Sequence, residues 1–314
     1  MTAIIILNWN GADDTIACLS SLAKAEGDFF VVLVDNASTD DSLSRISACS
    51  DGLPYQLHIL PQTSNLGFAK GNNVGMAFAA TLHPDDYMLL NNDTEVNPDF
   101  LVRLKRFSTR HPEYRVLTPK INYYDRKDVI WNCGGRLFFG FRKYYCADKK
   151  DSEVAAFLNR EFIRIGFVTG CALWFHPDII GTDGRLLTER YFFGEEDFEF
   201  SLRMRNGGIP MACVISSQIY HKVGSSGKSM RALGKLYVHL LNRYTDVRLT
   251  FPPVMSFVWR CVNVPVSFRH FLRESGSASE SLRLLLALTR DSRGRSGVSY
   301  EDFKRIVIDN RLNC

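Results

Sequence analysis

Apolar runs that do not alternate constrain the fold of this chain more than any other feature. Ala3 to Leu7 and Phe29 to Val34 are continuous, and each is closed by a polar turn, at Asn8 to Asn10 and at Asp35 and Asn36. A strand without alternation must be covered on both faces, which implies a parallel sheet with helices above and below. Between the two runs, Ile16, Leu19, Leu22 and Ala23 have helical spacing within Thr15 to Ala25, so the segment reads as a βαβ unit. The pattern continues with a helix from Asp40 to Ser47, a strand from Tyr55 to Leu60, a helix from Asn72 to Ala80 and a strand from Tyr87 to Leu90. Ligands of doubly wound sheets bind beyond the carboxyl ends of the strands. Asn8 to Asn10, Asp35 to Ser38 and Asn91 to Asp93 therefore share one rim. The expected fold class is α/β, a Rossmann-like, mostly parallel sheet flanked by helices, with a C-terminal helical extension.

The densest chemistry lies at Phe192 to Arg203, where Glu195, Glu196, Asp197 and Glu199 stand among large apolar side chains. Carboxylates crowded in a partly dry pocket raise one another's proton affinity, which can make one of them a general base. A purely structural reading is also open: an acidic first turn favoured by the helix dipole, with Phe198 and Leu202 buried at i, i+4 and Arg203 paired with Glu199. A cation would relieve the repulsion, and Asn91, Asn92 and Asp93 with His221 downstream offer a site for one.

The 314-residue chain is 46% hydrophobic, enough for a substantial core. Asn8 cuts the first apolar run far short of a signal peptide or a membrane span, so a cytoplasmic location is expected. Eight cysteines show no C-x-x-C pair, so free thiols are expected and no zinc site is indicated. Residues 228 to 314 carry fifteen Lys or Arg against seven Asp or Glu, although the whole chain is only +4. No aromatic-basic or helix-turn-helix pattern supports nucleic acid. The apolar stretch Phe251 to Phe268 beside Arg260 and Arg269 instead suggests peripheral contact with a membrane, the alternative being a helical subdomain with a solvated basic face. Ile121 to Phe141 and the charged stretch Lys149 to Arg164 read as an irregular region with a mobile loop. Ser- and Gly-rich Glu274 to Glu280 reads as a linker or turn.

Asn65 to Gly75 invites a phosphate-loop reading, but it fits neither G-x-x-x-x-G-K-[ST] nor G-x-G-x-x-G, which disfavours a kinase or a dehydrogenase. It offers flexible backbone at Gly67 and Gly71, amides at Asn65, Asn72 and Asn73, and Lys70 for an anionic phosphate. Asp35 can hydrogen-bond a nucleobase or ribose, or close an Asx-turn.

Seven segments in order resemble the inverting glycosyltransferases of family 2, which have the GT-A fold: Ile6 to Asn10, Val34 to Asp40, Asn65 to Gly75, Leu89 to Asp93, Val168 to Ala172, the pair Glu196 and Asp197, and His221. The subgroup most similar is that of bacterial rhamnosyltransferases acting in O-antigen, lipopolysaccharide and cell-wall polysaccharide assembly. The resemblance implies a GT-A domain over 1–227, with a nucleotide-binding part at 1–115 and an acceptor part at 116–227, followed by the basic, mainly helical extension 228–314. It implies donor contacts from Asn8, Asn10, Asp35, Asn65, Gly67, Lys70, Asn73, Asn92 and Asp93. It further implies Mn2+ or Mg2+ on Asp93 and His221, with Asn91 standing where many GT-A enzymes carry the first Asp of Asp-x-Asp.

By the same resemblance Asp197 is the general base, and Glu196 is the alternative. One sugar per encounter is implied, since the transmembrane helices and Gln-x-x-Arg-Trp motif of processive synthases are missing. The implied donor is dTDP-rhamnose, with UDP-galactose, UDP-N-acetylglucosamine and GDP-mannose as alternatives. The implied acceptor is a polyprenyl-diphosphate-linked oligosaccharide at the inner face of the cell membrane. A catalytically silent sugar-nucleotide-binding scaffold would carry the same motifs without turnover.

Overall fold

The computed structural model describes residues 1–223 and 232–309. Its first half alternates strand and helix: β1 (Thr2–Asn8), α1 (Ala12–Leu22), β2 (Phe29–Asp35), α2 (Ser42–Cys49), β3 (Leu57–Pro61), α3 (Gly67–Ala80) and β4 (Asp86–Asn91). These four strands are parallel in the order β3-β2-β1-β4. After them come β5 (Thr94–Val96), α4 (Phe100–Arg110), β6 (Val116–Tyr123), β7 (Ile130–Asn132), and the hairpin β8 (Gly135–Phe138) and β9 (Phe141–Tyr144). The chain continues through α5 (Ala155–Leu158), β10 (Phe162–Ile165), β11 (Ala172–Phe175), α6 (Glu196–Asn206) and β12 (Met211–His221). The sheet is extended as β4-β11-β6-β12-β10, with β11 antiparallel to both of its neighbours. The stretch from Lys149 to Arg164, inside the region expected to include a mobile loop, holds α5 and part of β10, with Arg164 paired to Ala212 of β12.

Side chains of β1 go alternately to two cores. Ala3 and Ile5 pack with α3, and Ile4 and Ile6 pack with α1 and α4. Each fully buried aliphatic side chain contributes about 1.5–3 kcal/mol, so the unbroken apolar runs are what hold the strands central. Helix α3 approaches closely because glycines line its sheet side: a Cβ on Gly71 would sit 2.5 Å from Leu7 Cδ1, and one on Gly75 2.5 Å from Ile5 Cγ2. The expectation of flexible backbone at Gly71 is thereby corrected; it is a packing residue inside a helix.

Helices α7 (Ala232–Thr250), α8 (Pro253–Ser275), α9 (Ala278–Gly294) and α10 (Tyr300–Phe303) form a third core around Tyr237, Trp259, Phe271 and Leu288. Gly276, left-handed at φ 69°, and the Ser277 N-cap make the expected turn between α8 and α9. The boundary expected at residues 227 and 228 lies outside the described residues, as does Cys314. The other seven cysteines are unpaired. Among the described residues no helix is long and apolar enough to cross a membrane.

Candidate active site

Parallel register sets the rim. Asn8 is paired with Asp35, and Leu7 with Asn91, so the ends of β1, β2 and β4 lie side by side. Strand β11 runs against β4 with Ala172 opposite Leu90, which brings residues 168–171 to the same edge, and the Asn91 amide donates to the Cys171 carbonyl at 2.8 Å. Strand β12 pairs with β5, His221 opposite Thr94. This pairing, not sequence proximity, joins Asp93 to His221: Oδ1 and Nε2 are 3.1 Å apart, and both residues are buried. Burial disfavours the His221 imidazolium, but contact with Cys171 and the Asp93 carboxylate outweighs burial and pushes its pKa up. Trp131 covers the ring edge-on, 4.3 Å between centroids.

A carboxylate oxygen beside an imidazole nitrogen suits a divalent cation that keeps most of its coordination for phosphate and water. Cys171 touches His221, but among the described residues no group of three or more His, Cys, Asp or Glu is arranged to hold a metal ion. The pair therefore fits Mn2+ or Mg2+ only as a two-ligand support for a metal shared with a diphosphate.

Beyond β2, the Asp35 carboxylate accepts from Asn8 Nδ2 at 2.7 Å, Ser38 Oγ at 2.6 Å and, three residues on, Ser38 N at 3.0 Å, which closes the turn after the strand. Asn8 is fully buried and also receives Thr15 Oγ1 at 2.7 Å, so it orients Asp35 from behind and cannot itself face a ligand. Asn10, exposed at φ 50°, is tied to Ser38 and Thr39. Asn92 donates to Thr15 Oγ1 at 2.9 Å, against the start of α1. Asn36, read in sequence as part of the rim, donates to Asn65 Oδ1 at 2.9 Å and accepts from Leu66 N at 2.8 Å, fixing the entry to α3. Gly67 has φ +77°, and a Cβ there would sit 2.3 Å from the Phe192 carbonyl oxygen, so it is the contact between α3 and the acidic segment. Lys70 is exposed. Asn73, expected at the donor, is buried and its amide bonds Leu186, Leu187 and Glu189, so it anchors the segment leading to α6.

At the start of α6 the carboxylates have different surroundings. Glu195, held left-handed at φ 71° and only 3% exposed, meets Arg142 of β9 at 3.1 Å, His239 of α7 at 3.3 Å, and Arg243 of α7. Burial works against its charge, but the two guanidiniums prevail and hold its carboxyl well below the usual carboxylate range. Glu196 has no such partners. Its Oε2 is buried without a hydrogen bond among the described residues, and burial, then the neighbouring Asp197 charge, pushes it up to about 8. Asp197 is the more open of the three, its side chain 24% exposed and 3.5 Å from Arg142 Nη1. Burial raises its pKa and Arg142 opposes the rise. Ser201 Oγ receives the Val168 amide at 3.1 Å, binding α6 to the 168–171 loop and so to the rim.

The structural alternative holds at the same time: Phe198 and Leu202 are buried, and Arg203 pairs with Glu199 at 3.3 Å. Arg142, His239 and Arg243 were not anticipated. The signal for them in the sequence is the acidic run itself, since buried carboxylates require cations to offset them.

A β3-β2-β1-β4 parallel half-sheet, an antiparallel strand beyond it and an acidic turn at the end of β4 define the GT-A fold. The chain belongs to glycosyl transferase family 2, whose model matches residues 3–163. Similar solved structures include S. aureus TarS 1–349, at TM-score 0.57 and 14% identity, over 99% of this chain and 82% of that one. The mannosyltransferase PcManGT from Pyrobaculum calidifontis, in complex with GDP-Man and Mn2+, gives TM-score 0.57 and 14% identity over 92% and 74%. GalNAc-T7 with UDP, GalNAc and Mn2+ gives 0.60 and 15% over 97% and 56%. The chain spans 43% of the longer TarS structure. Comparison with curated protein sequences finds no match.

Proposed function

We propose that this chain is an inverting glycosyltransferase that moves one sugar per encounter from a nucleotide-sugar donor to an acceptor hydroxyl. The observation that carries the reading is the Asp93–His221 pair at 3.1 Å on the rim that also receives the start of α6 with Asp197. Asp93 and His221 would hold Mn2+ or Mg2+, which when bound would neutralise the departing diphosphate. Support comes from the family membership and from GT-A neighbours solved with GDP-Man and Mn2+, with UDP-GlcNAc, and with UDP and Mn2+.

Asp35, held by Asn8 and Ser38, would accept hydrogen bonds from base or ribose, with Asn10 and Asn65 at its side. Gly67, Lys70 and Asn92 would line the phosphate side. Asp197, the more open carboxylate, would take the proton from the acceptor hydroxyl as that oxygen attacks the anomeric carbon. Glu196, protonated near neutrality, would keep a second negative charge away from the reacting oxygen. Arg142 would steady Asp197 in the ionised state.

The donor proposed on the motif resemblance is dTDP-rhamnose, in bacterial O-antigen or related surface polysaccharide assembly. The proposed acceptor is a polyprenyl-diphosphate-linked oligosaccharide met at the inner face of the cell membrane, with the basic C-terminal region in peripheral contact. The test is nucleoside diphosphate release from dTDP-rhamnose, UDP-galactose, UDP-N-acetylglucosamine and GDP-mannose, with Mn2+, Mg2+ or EDTA and such an acceptor. Metal-dependent release from dTDP-rhamnose alone is expected. Release from another donor would replace the sugar, and nucleotide binding without release from any donor would overturn the enzymatic reading.

A further inference from the structure

Helix α8 has its polarity reversed. Its inward positions are Ser256, Trp259, Asn263, Ser267 and Phe271, three of them small or polar. Its outward positions include Val254 at 75% and Phe257 at 67% exposure, with Met255, Val258, Val262 and Val266 also exposed. A helix bathed in water carries the opposite pattern. The adjoining α9 adds exposed Leu282 and Leu286, one turn apart. At the tip of the β8–β9 hairpin Phe138 is exposed as well, while its neighbours Phe139 and Phe141 pack on Phe251 and Trp259. The hairpin that delivers Arg142 to Asp197 thus packs against the start and the inner side of α8.

Charge selects the occupant. From Phe251 to Phe268 the only charged residue is Arg260, which turns toward Ser292 of α9, where Arg248 also donates. Exposed Arg269, His270 and Arg273 follow, lining with Val266 and Leu272 a cleft of about 490 Å³. The first carboxylate is Glu274, at the end of the helix. Against a second copy of itself, this face would meet its own arginines with Glu274 as the one carboxylate of the helix to offset them. Lipid phosphates above an acyl layer complement both halves of it.

We propose that the outer face of α8, with Leu282, Leu286 and Phe138, is the surface by which this protein lies on an anionic phospholipid bilayer. This deepens the lipid-acceptor reading above, and it is tested without any sugar donor, so either can fail while the other stands. The experiment is co-sedimentation of the full chain with phosphatidylcholine vesicles and with vesicles containing one-quarter phosphatidylglycerol. Binding at least tenfold tighter to the anionic vesicles is expected, weakened at least tenfold by Phe257→Glu with Val262→Glu and by Arg269→Glu with Arg273→Glu, with circular dichroism unchanged. Failure to bind anionic vesicles, or equal binding by folded variants, would overturn the proposal. So would a concentration-dependent dimer abolished by Phe257→Glu, which would assign the face to a second copy.

Discussion

Replacing Glu195 with Gln removes the single negative charge on which Arg142, Arg243 and His239 converge. The Glu195 side chain is 2% exposed, Arg243 15% and Arg142 23%, so water gives the stranded cations little relief. Breaking a buried ion pair from one side costs about 3–5 kcal/mol, and the partial exposure of the arginines points to the lower figure. Against a total stability of about 5–15 kcal/mol, that loss would lower the melting temperature of a chain this size by about 4–6 °C. Because the folded-state pKa of Glu195 is depressed, its contribution is present above the ordinary carboxylate pKa and is lost as pH falls through the folded value. The gap between wild type and Glu195→Gln should therefore be full at pH 7 and should begin to narrow only as pH falls below about 4, closing as it passes the folded-state value. Thermal melts followed by circular dichroism across that range measure it, and Arg243→Ala in the Glu195→Gln background should cost less than Arg243→Ala alone. A gap under 2 °C at pH 7, or one that persists undiminished into acid, would refute the buried-cluster argument.

Glu196→Gln should retain transfer within about threefold, because the native side chain is already protonated near neutrality. Its folded pKa is raised to about 8, so wild-type stability falls as pH climbs from the ordinary carboxylate range to that value, and denaturant titrations should find the variant gaining more than about 1 kcal/mol on wild type over that window. Gly67→Ala should cost about 2–4 kcal/mol in the same assay, since it forces a left-handed residue and drives a Cβ against the Phe192 carbonyl. His221→Ala should weaken Mn2+ binding in the presence of nucleoside diphosphate about 10-fold or more by calorimetry while sparing the fold; unchanged binding would remove His221 from the metal site.

The strands of the first half were legible because unbroken runs such as Ala3 to Leu7 and Phe29 to Val34 admit few other homes. The alignment of their polar ends followed from parallel register. What could not be read were partnerships across long chain separations. Asn8 and Asn73 look like ligand amides in sequence, yet their hydrogen bonds go to Asp35 and to residues 186–189, which only the packed sheet and loop bring near. Gly71 looks like a loop residue until Leu7 is seen beneath it. Strand β10 escaped because Phe162 to Ile165 is too short to show a period, and its pairing partner in β12 lies about fifty residues downstream. Asp93 and His221 were recognised as a pair through the motif series, but the device that joins them, β5 against β12, carries no signal in local pattern. The cations around Glu195 come from a hairpin and from α7, elements that nothing in the acidic run itself announces.

The most direct test of the account compares Asp197→Asn with wild type in two readings: nucleoside diphosphate binding by calorimetry with Mn2+, and single-turnover transfer from the donor that wild type uses. The account predicts unchanged nucleotide binding with transfer slowed about 10²–10⁴-fold. Transfer within a few fold of wild type would contradict it, and the general base would then have to be sought elsewhere in the acidic run.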